Sequence, residues 1–158
     1  MNHSGAVLIL THSGDYFTVD NVERALARRK VRSIRFETDR FPEEVHLSAR
    51  LGPGGPHFRI QDGFEGVEAA DVRAVWTRRI WAPRLAADLD PEFREACMRE
   101  SLASLRAVFG CIQSARWIND PARNHAASDK ATQLRAARDS GLRVPGTLIS
   151  NDPARVRA

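Results

Sequence analysis

Long apolar runs and cysteine are scarce in this 158-residue chain, and each scarcity narrows what it can be. The longest uninterrupted apolar run is Ala6–Leu10, far short of the roughly 20 residues a membrane-spanning helix needs. The start, Met1-Asn2-His3-Ser4-Gly5, carries no Lys or Arg and lacks the charged opening of a secretory signal, so a cytoplasmic protein is expected. Cys97 and Cys111 are the only cysteines. Two isolated thiols read as small buried apolar groups rather than a disulfide framework. Neither sits in a Cys-x-x-Cys pair or a Cys/His cluster, so no metal site is expected. No internal repeat or low-complexity tract is present.

What is present suits one folded core: 42% apolar and 28% charged residues, ordinary values for a globular protein. The net charge is +4. The excess arginines are dispersed and accompany no recognisable nucleic-acid motif, so nucleic acid is not the expected partner; nor is a membrane.

The order of patterns is that of an α/β protein. Ala6–Leu10 reads as a strand buried on both faces. After the polar loop Thr11-His12-Ser13-Gly14-Asp15, a helix is expected over about Asp20 to Lys30, with Asp20 as cap, Glu23 three residues on, and an apolar stripe of Val22, Ala25 and Leu26. Val31–Phe36 reads as the second strand, which implies a right-handed crossover and a partly parallel sheet. Val45–Leu51 and His57–Gln61 flank Gly52-Pro53-Gly54-Gly55-Pro56, the signal of a hairpin, expected as an addition to that sheet. The glycines do not lead into Gly-Lys-Ser/Thr or a helix, so they are not a phosphate loop. Ala74–Trp76 is a further buried strand.

From Asp90 the period becomes helical. Asp90-Pro91 is a cap and first-turn proline, and Phe93, Cys97, Leu102, Leu105, Val108, Phe109 and Ile112 form the apolar side, ending near Gly110. Ala115–Ile118 is a short apolar segment. A last helix is expected over about Ser128 to Ser140, with Gly141 as its left-handed stop and Leu142 returning toward Ala137. Val144–Ile149 reads as a new strand and Ser150–Pro153 as the opening of another helix.

Three positions stand out chemically. Lys130 is a cation in the first turn of a helix, where the dipole disfavours it unless an anion compensates. Arg78 and Arg79 follow a buried strand, at the edge where open α/β sheets gather ligands, and a guanidinium can hold a carboxylate or phosphate bidentately. A pair of solvated arginines is the plain alternative. His12, Ser13 and Asp15 invite a nucleophile–base reading, but no spacing supports a triad; packing of the loop explains them more simply. Trp76, Trp81 and Trp117 read as core, and Asn119, Asp120 and Asn124 as turn and cap residues. No catalytic residue and no metal ligand is assigned.

The segments Trp117-Ile118-Asn119-Asp120-Pro121, Ser128-Asp129-Lys130-Ala131-Thr132-Gln133-Leu134, and Ala137, Gly141, Val144-Pro145-Gly146-Thr147-Leu148 resemble the opening of an ATP-grasp domain, most closely that of the microviridin-type (MvdD) ribosomal peptide maturases. The first strand, loop and helix and Val75-Trp76-Thr77-Arg78-Arg79 resemble their pre-ATP-grasp domain. The resemblance implies a pre-ATP-grasp domain over 1–121 and the start of an ATP-grasp domain over 122–158. The implied sheet is mixed and mostly parallel, with flanking helices and an added hairpin. It further implies a parent enzyme that uses ATP and Mg²⁺ to convert precursor-peptide carboxylates to acyl phosphates, which hydroxyls or amines then attack to give ω-ester or ω-amide rings. Lys130 would reach ATP phosphates, and Arg78 and Arg79 would meet the acidic peptide. A full enzyme of this kind is about twice as long, its metal-holding groups lie beyond Ala158, and the chain by itself is expected to be inactive and to hold no nucleotide tightly. A homodimer is left open. The rival readings are a glutamate-adding (RimK-like) carboxylate–amine ligase and a non-catalytic peptide-binding module.

Overall fold

A computed structural model describes residues 5–52, 55–62, 65–112 and 114–156. These divide into two compact units, Met1–Asp120 and Pro121–Ala158.

The first unit is built on a four-stranded sheet of β1 (Ala6–Thr11), β2 (Ser33–Glu37), β6 (Val72–Thr77) and β7 (Arg116–Ile118), in the order β2-β1-β6-β7. Its three pairings are all parallel. Central in the sheet and covered on both faces, β1 is apolar without alternation: Leu8, Ile9 and Leu10 are all fully buried. The strand places Leu8 and Leu10 on one face, beside Phe36 and Val75, and Ile9 on the other. The first face packs against Leu105, Val108 and Ile112 from α2 (Pro91–Gly110) and its end. α1 (Tyr16–Arg28) buries Val19.

The hairpin forms, but not on the edge of this sheet. β3 (Val45–Gly52), β4 (Gly55–Asp62) and β5 (Glu65–Glu68) make a separate antiparallel sheet. β3 and β4 pair from Val45↔Asp62 to Gly52↔Gly55; Pro53 and Gly54 of the expected turn lie outside the described residues. The reason is burial. Leu47, Ile60 and Val67 are cross-strand neighbours on one face. Val45, Ile60 and Val67 are buried in the same core cluster as Leu8 and Phe36. The hairpin sheet therefore covers the core with a face, which an extension of the sheet edge would not do.

Other boundaries moved for identifiable reasons. α1 begins four residues before the expected cap, with Asp15 at its N-cap position. Asp20 lies inside the helix and pairs with Arg35 at 3.1 Å instead of capping. The helix ends in a left-handed residue that is not glycine: Lys30 has φ 58°, and the Val31 N–H donates to the Leu26 carbonyl. In α2 the expected cap holds, Asp90 accepting from the Glu92 N–H at 2.9 Å. Its apolar side is buried only in its second half; Phe93 is 55% exposed.

The second unit holds α3 (Pro121–Ala127), α4 (Lys130–Asp139) and α5 (Pro153–Val156). α4 starts after Asp129, not at Ser128. It ends as expected: Gly141 has φ 80°, its N–H donates to Arg138, and the Leu142 N–H to Ala137. Val144–Ile149 forms no strand, and all of it but Val144 is exposed. A strand needs a paired neighbour to satisfy its backbone, and the described residues of this unit contain none.

Candidate functional site at the carboxyl edge of the parallel sheet

Because β1, β2 and β6 run the same way, their C-terminal ends bring three polar segments together: Thr11–Asp15, Glu37–Arg40 and Thr77–Trp81. The β1–β2 register ends at Thr11↔Glu37. Continued, it sets His12 beside Thr38 and Ser13 beside Asp39. The contacts follow that geometry. The Ser13 backbone N–H and hydroxyl both donate to the Asp39 carboxylate, at 2.9 and 2.5 Å. Thr38 Oγ1 accepts from the Trp81 N–H at 3.0 Å and shares its single proton between the Thr11 and Trp81 carbonyls. One buried hydroxyl thus ties the ends of β1, β2 and the segment after β6.

Arg84 approaches Asp39 at 3.6 Å. Burial alone would raise the Asp39 pKa; the Ser13 hydrogen bonds, the backbone and Arg84 together outweigh it and hold the carboxyl below its ordinary 3.8. A depressed folded-state pKa stabilises the fold fully above the unfolded value and is lost as pH falls through the folded value. Asp39→Asn is therefore expected to melt below the wild type at neutral pH. The gap should close as pH drops from about 5 to about 2. Thermal melts across that range check it; a gap independent of pH would show the carboxylate's charge to be irrelevant.

Arg78 and Arg79 separate in the structure. The Arg78 N–H donates to the Leu10 carbonyl, prolonging the β1–β6 pairing by one residue. Its Nε lies 3.6 Å from Asp15 Oδ2, with the side chain 31% exposed. Asp15 also accepts from the Thr11 hydroxyl at 3.4 Å, and its backbone carbonyl from Arg35 at 3.1 Å. The carboxylate holds Arg78 by its Nε edge. Arg79 is exposed and has no ion pair among the described residues.

His12 is 3% exposed and its ring lies 3.6 Å from that of Trp81, stacked at 5°. Trp81 itself is half exposed, unlike the core residue its sequence context implied. Trp117 does meet that expectation: its indole N–H donates to the Ile112 carbonyl at 3.0 Å and it lies edge-on to Phe109. Sequence reading missed Thr38, Asp39 and the His12–Trp81 pair. Their one available signal was position, a polar Thr-Asp directly after a parallel strand.

Lys130 lies in the other unit, at the first position of α4, exposed, with Nζ 3.2 Å from Gln133 Oε1. Asp129 accepts from the Thr132 N–H at 2.7 Å, and the Thr132 side chain foremost, with this N–H, holds its carboxyl below the ordinary 3.8. That first-turn N–H is therefore already taken, and an anion here would meet the ammonium rather than an open cradle of amides. Among the described residues no three His, Cys, Asp or Glu side chains are grouped as metal ligands, and no helix is long and apolar enough to cross a membrane.

The sequence model of the MvdD pre-ATP grasp domain family matches residues 6–125. Among solved structures, the chain is similar to macrocyclase MdnB from Microcystis aeruginosa MRC, with 41% identity and a TM-score of 0.91 over 97% of this chain and 50% of that one. It is similar to macrocyclase MdnC of the same organism, solved bound with precursor peptide MdnA, with 36% identity and a TM-score of 0.89 over 96% of this chain and 49% of that one. A Chryseobacterium gregarium RiPP-associated ATP-grasp ligase, solved with ADP and a leader and core peptide, matches at 27% identity and a TM-score of 0.84 over 97% and 46% of the two chains. A search of curated proteins found no match. The chain spans about half the length of these solved relatives.

Proposed function

We propose that this chain, which belongs to the MvdD pre-ATP grasp domain family, forms the first half of an ATP-dependent ligase that crosslinks side chains of a ribosomally made precursor peptide. The observation that carries the reading is the likeness to two macrocyclases along nearly the whole chain. On this reading residues 1–121 are the pre-ATP-grasp domain and 122–158 open the ATP-grasp domain. The reaction belongs to the cytoplasm, where ATP and newly made peptide meet.

The chemistry starts from a poor electrophile. A side-chain carboxylate oxygen attacks the γ-phosphorus of ATP, giving an acyl phosphate and ADP. A hydroxyl or amine of the same peptide then attacks the acyl carbon, loses its proton and expels phosphate, closing an ω-ester or ω-amide ring. Mg²⁺ supplies charge neutralisation on the phosphates when bound. This chain's part is positional. Lys130 offers an ammonium to a phosphate, and Arg78, held by Asp15 at its Nε and partly exposed, offers a guanidinium to a peptide carboxylate. Arg79 adds an exposed charge for the same acidic peptide.

The test is a paired assay. The 158-residue chain alone is expected to release no ADP. The intact ligase carrying it is expected to convert an acidic, Ser/Thr/Lys-containing precursor to a product lighter by one water per ring, as read by mass spectrometry. In that enzyme Arg78→Ala should raise KM for peptide by about tenfold or more while leaving KM for ATP within about twofold. Robust ADP release by the chain alone, or unchanged peptide kinetics in both Arg78→Ala and Arg79→Ala, would overturn these assignments.

A further inference from the structure

We infer that the carboxyl edge of the parallel sheet is a docking face for apolar side chains of the peptide, so that the peptide it selects carries an aromatic anchor beside its carboxylates. The inference rests on the reading of this chain as half of a peptide ligase, and it adds the peptide chemistry which that reading leaves open. Two observations carry it.

The first is where the exposed apolar side chains stand. Among the described residues of the first unit, the large apolar side chains left exposed are Tyr16, Phe17, Ile80, Trp81, Phe93 and Ile118. Exposed apolar residues scattered singly need no explanation. These are not scattered, for all but Phe93 sit at or just beyond the carboxyl ends of parallel strands. Tyr16 and Phe17 open α1 after the β1 loop, Ile80 and Trp81 follow β6, and Ile118 ends β7 opposite Trp76. The first two segments lie side by side, because Arg78 meets Asp15 at 3.6 Å and the Trp81 ring stacks on His12. The Thr38 hydroxyl fixes the backbone of both, through the Thr11 carbonyl and the Trp81 N–H. Folding does not explain an aromatic pair in this place. Phe17 is 74% exposed, and α1 carries no acid in its first turn, where the helix dipole would favour one. Aromatic residues and arginine are the types that protein interfaces concentrate.

The second observation is the charge, and it selects the occupant. The acids at this edge are engaged within the chain: Asp15 with Arg78, Glu37 with Arg40, and Asp39 with Ser13 and Arg84. Arg79 is exposed and has no ion pair among the described residues. A dimer built on this face would bring two such cations to one isologous interface. An acidic peptide neutralises the cation instead, while its ring or aliphatic side chain covers the apolar residues beside it.

The test titrates three capped tripeptides into the ¹⁵N-labelled 158-residue chain and follows them by NMR: acetyl-Phe-Glu-Glu-amide, acetyl-Ala-Glu-Glu-amide and acetyl-Phe-Gln-Gln-amide. The first is expected to shift the Trp81 indole and the Phe17 and Arg79 amide signals saturably at millimolar concentrations. The second lacks the ring and the third the charge, and each should bind about fivefold more weakly or worse. Phe17→Ser, at an exposed position whose change leaves the core intact, should weaken the first peptide by a similar factor of about five. Arg79→Gln should do the same and should remove its advantage over the glutamine peptide. Equal affinity for either control peptide, no saturable shift, or wild-type affinity in Phe17→Ser combined with Ile80→Ser would overturn the inference. So would a concentration-dependent dimer that Phe17→Ser abolishes, which would give the face to a second copy. The titration needs neither ATP nor ring formation, so failure of the ligase reading, seen as absent crosslinking by the intact enzyme, is distinguishable from failure of this one.

Discussion

Lys130→Ala is expected to lower kcat/KM for ATP by about ten- to a hundredfold in an intact ligase carrying this domain, the equivalent of one charge-assisted contact of about 1.5–3 kcal/mol. The expectation has a physical root in the sequence: the ammonium stands at the start of α4, where the helix dipole opposes a cation and an anion would relieve the conflict. Its contact with Gln133 is an exposed one between an ammonium and a neutral amide, weak enough to be exchanged for a phosphate. Gln133→Ala should therefore leave ATP kinetics near the wild type, which separates a role at phosphate from local helix support. Lys130→Arg should restore only part of the loss, because a planar fork does not replace a compact ammonium. Steady-state kinetics with ATP varied at saturating peptide are the measurement. A change below about twofold in Lys130→Ala would make Lys130 a surface lysine supported by its neighbour.

Phe36→Ala should have the largest effect on folding, a loss of about 3–5 kcal/mol. Phe36 is fully buried in β2, edge-on to Phe109 at 5.8 Å, and Phe109 is in turn edge-on to Trp117 at 6.4 Å. The ring therefore joins β2 to α2 and, through Phe109, to β7. Against a total stability of about 5–15 kcal/mol, the loss should appear as a fall of about 10 °C or more in Tm. Phe36→Leu keeps most of the volume and should recover more than half of it. A Tm within a few degrees of the wild type for Phe36→Ala would mean that the core closes around the gap, contrary to its packing here.

The central strands were legible because full burial removes alternation. Leu8, Ile9 and Leu10 have to be apolar on both pleats, and no other short element demands that. The caps of α2 and the stop of α4 were legible because Asp-Pro and Gly answer local backbone needs that no distant contact alters. Lys130 and the strand-end arginines could be singled out for the same kind of reason, from their place on an element. The start of α1 was not legible. Asp20 was the cap that local spacing offered, but inside the helix it pairs with Arg35 from β2, while Asp15, at the N-cap position, meets Arg78 from beyond β6 and makes no capping bond of its own.

By itself, then, the sequence determined what depends on chain neighbours: the α/β order, the helix punctuation, the hairpin at Gly52, and the basic residues at a strand end and a helix start. Tertiary structure alone decided what depends on residues far apart in the chain. It made the hairpin a second sheet, because Val45, Ile60 and Val67 are buried best by facing the core. It left Val144–Ile149 without a strand, because pairing needs a neighbour. It turned a loop histidine, a threonine and a tryptophan into one stacked and hydrogen-bonded cluster, because parallel strands carry their ends to the same edge however many residues separate them.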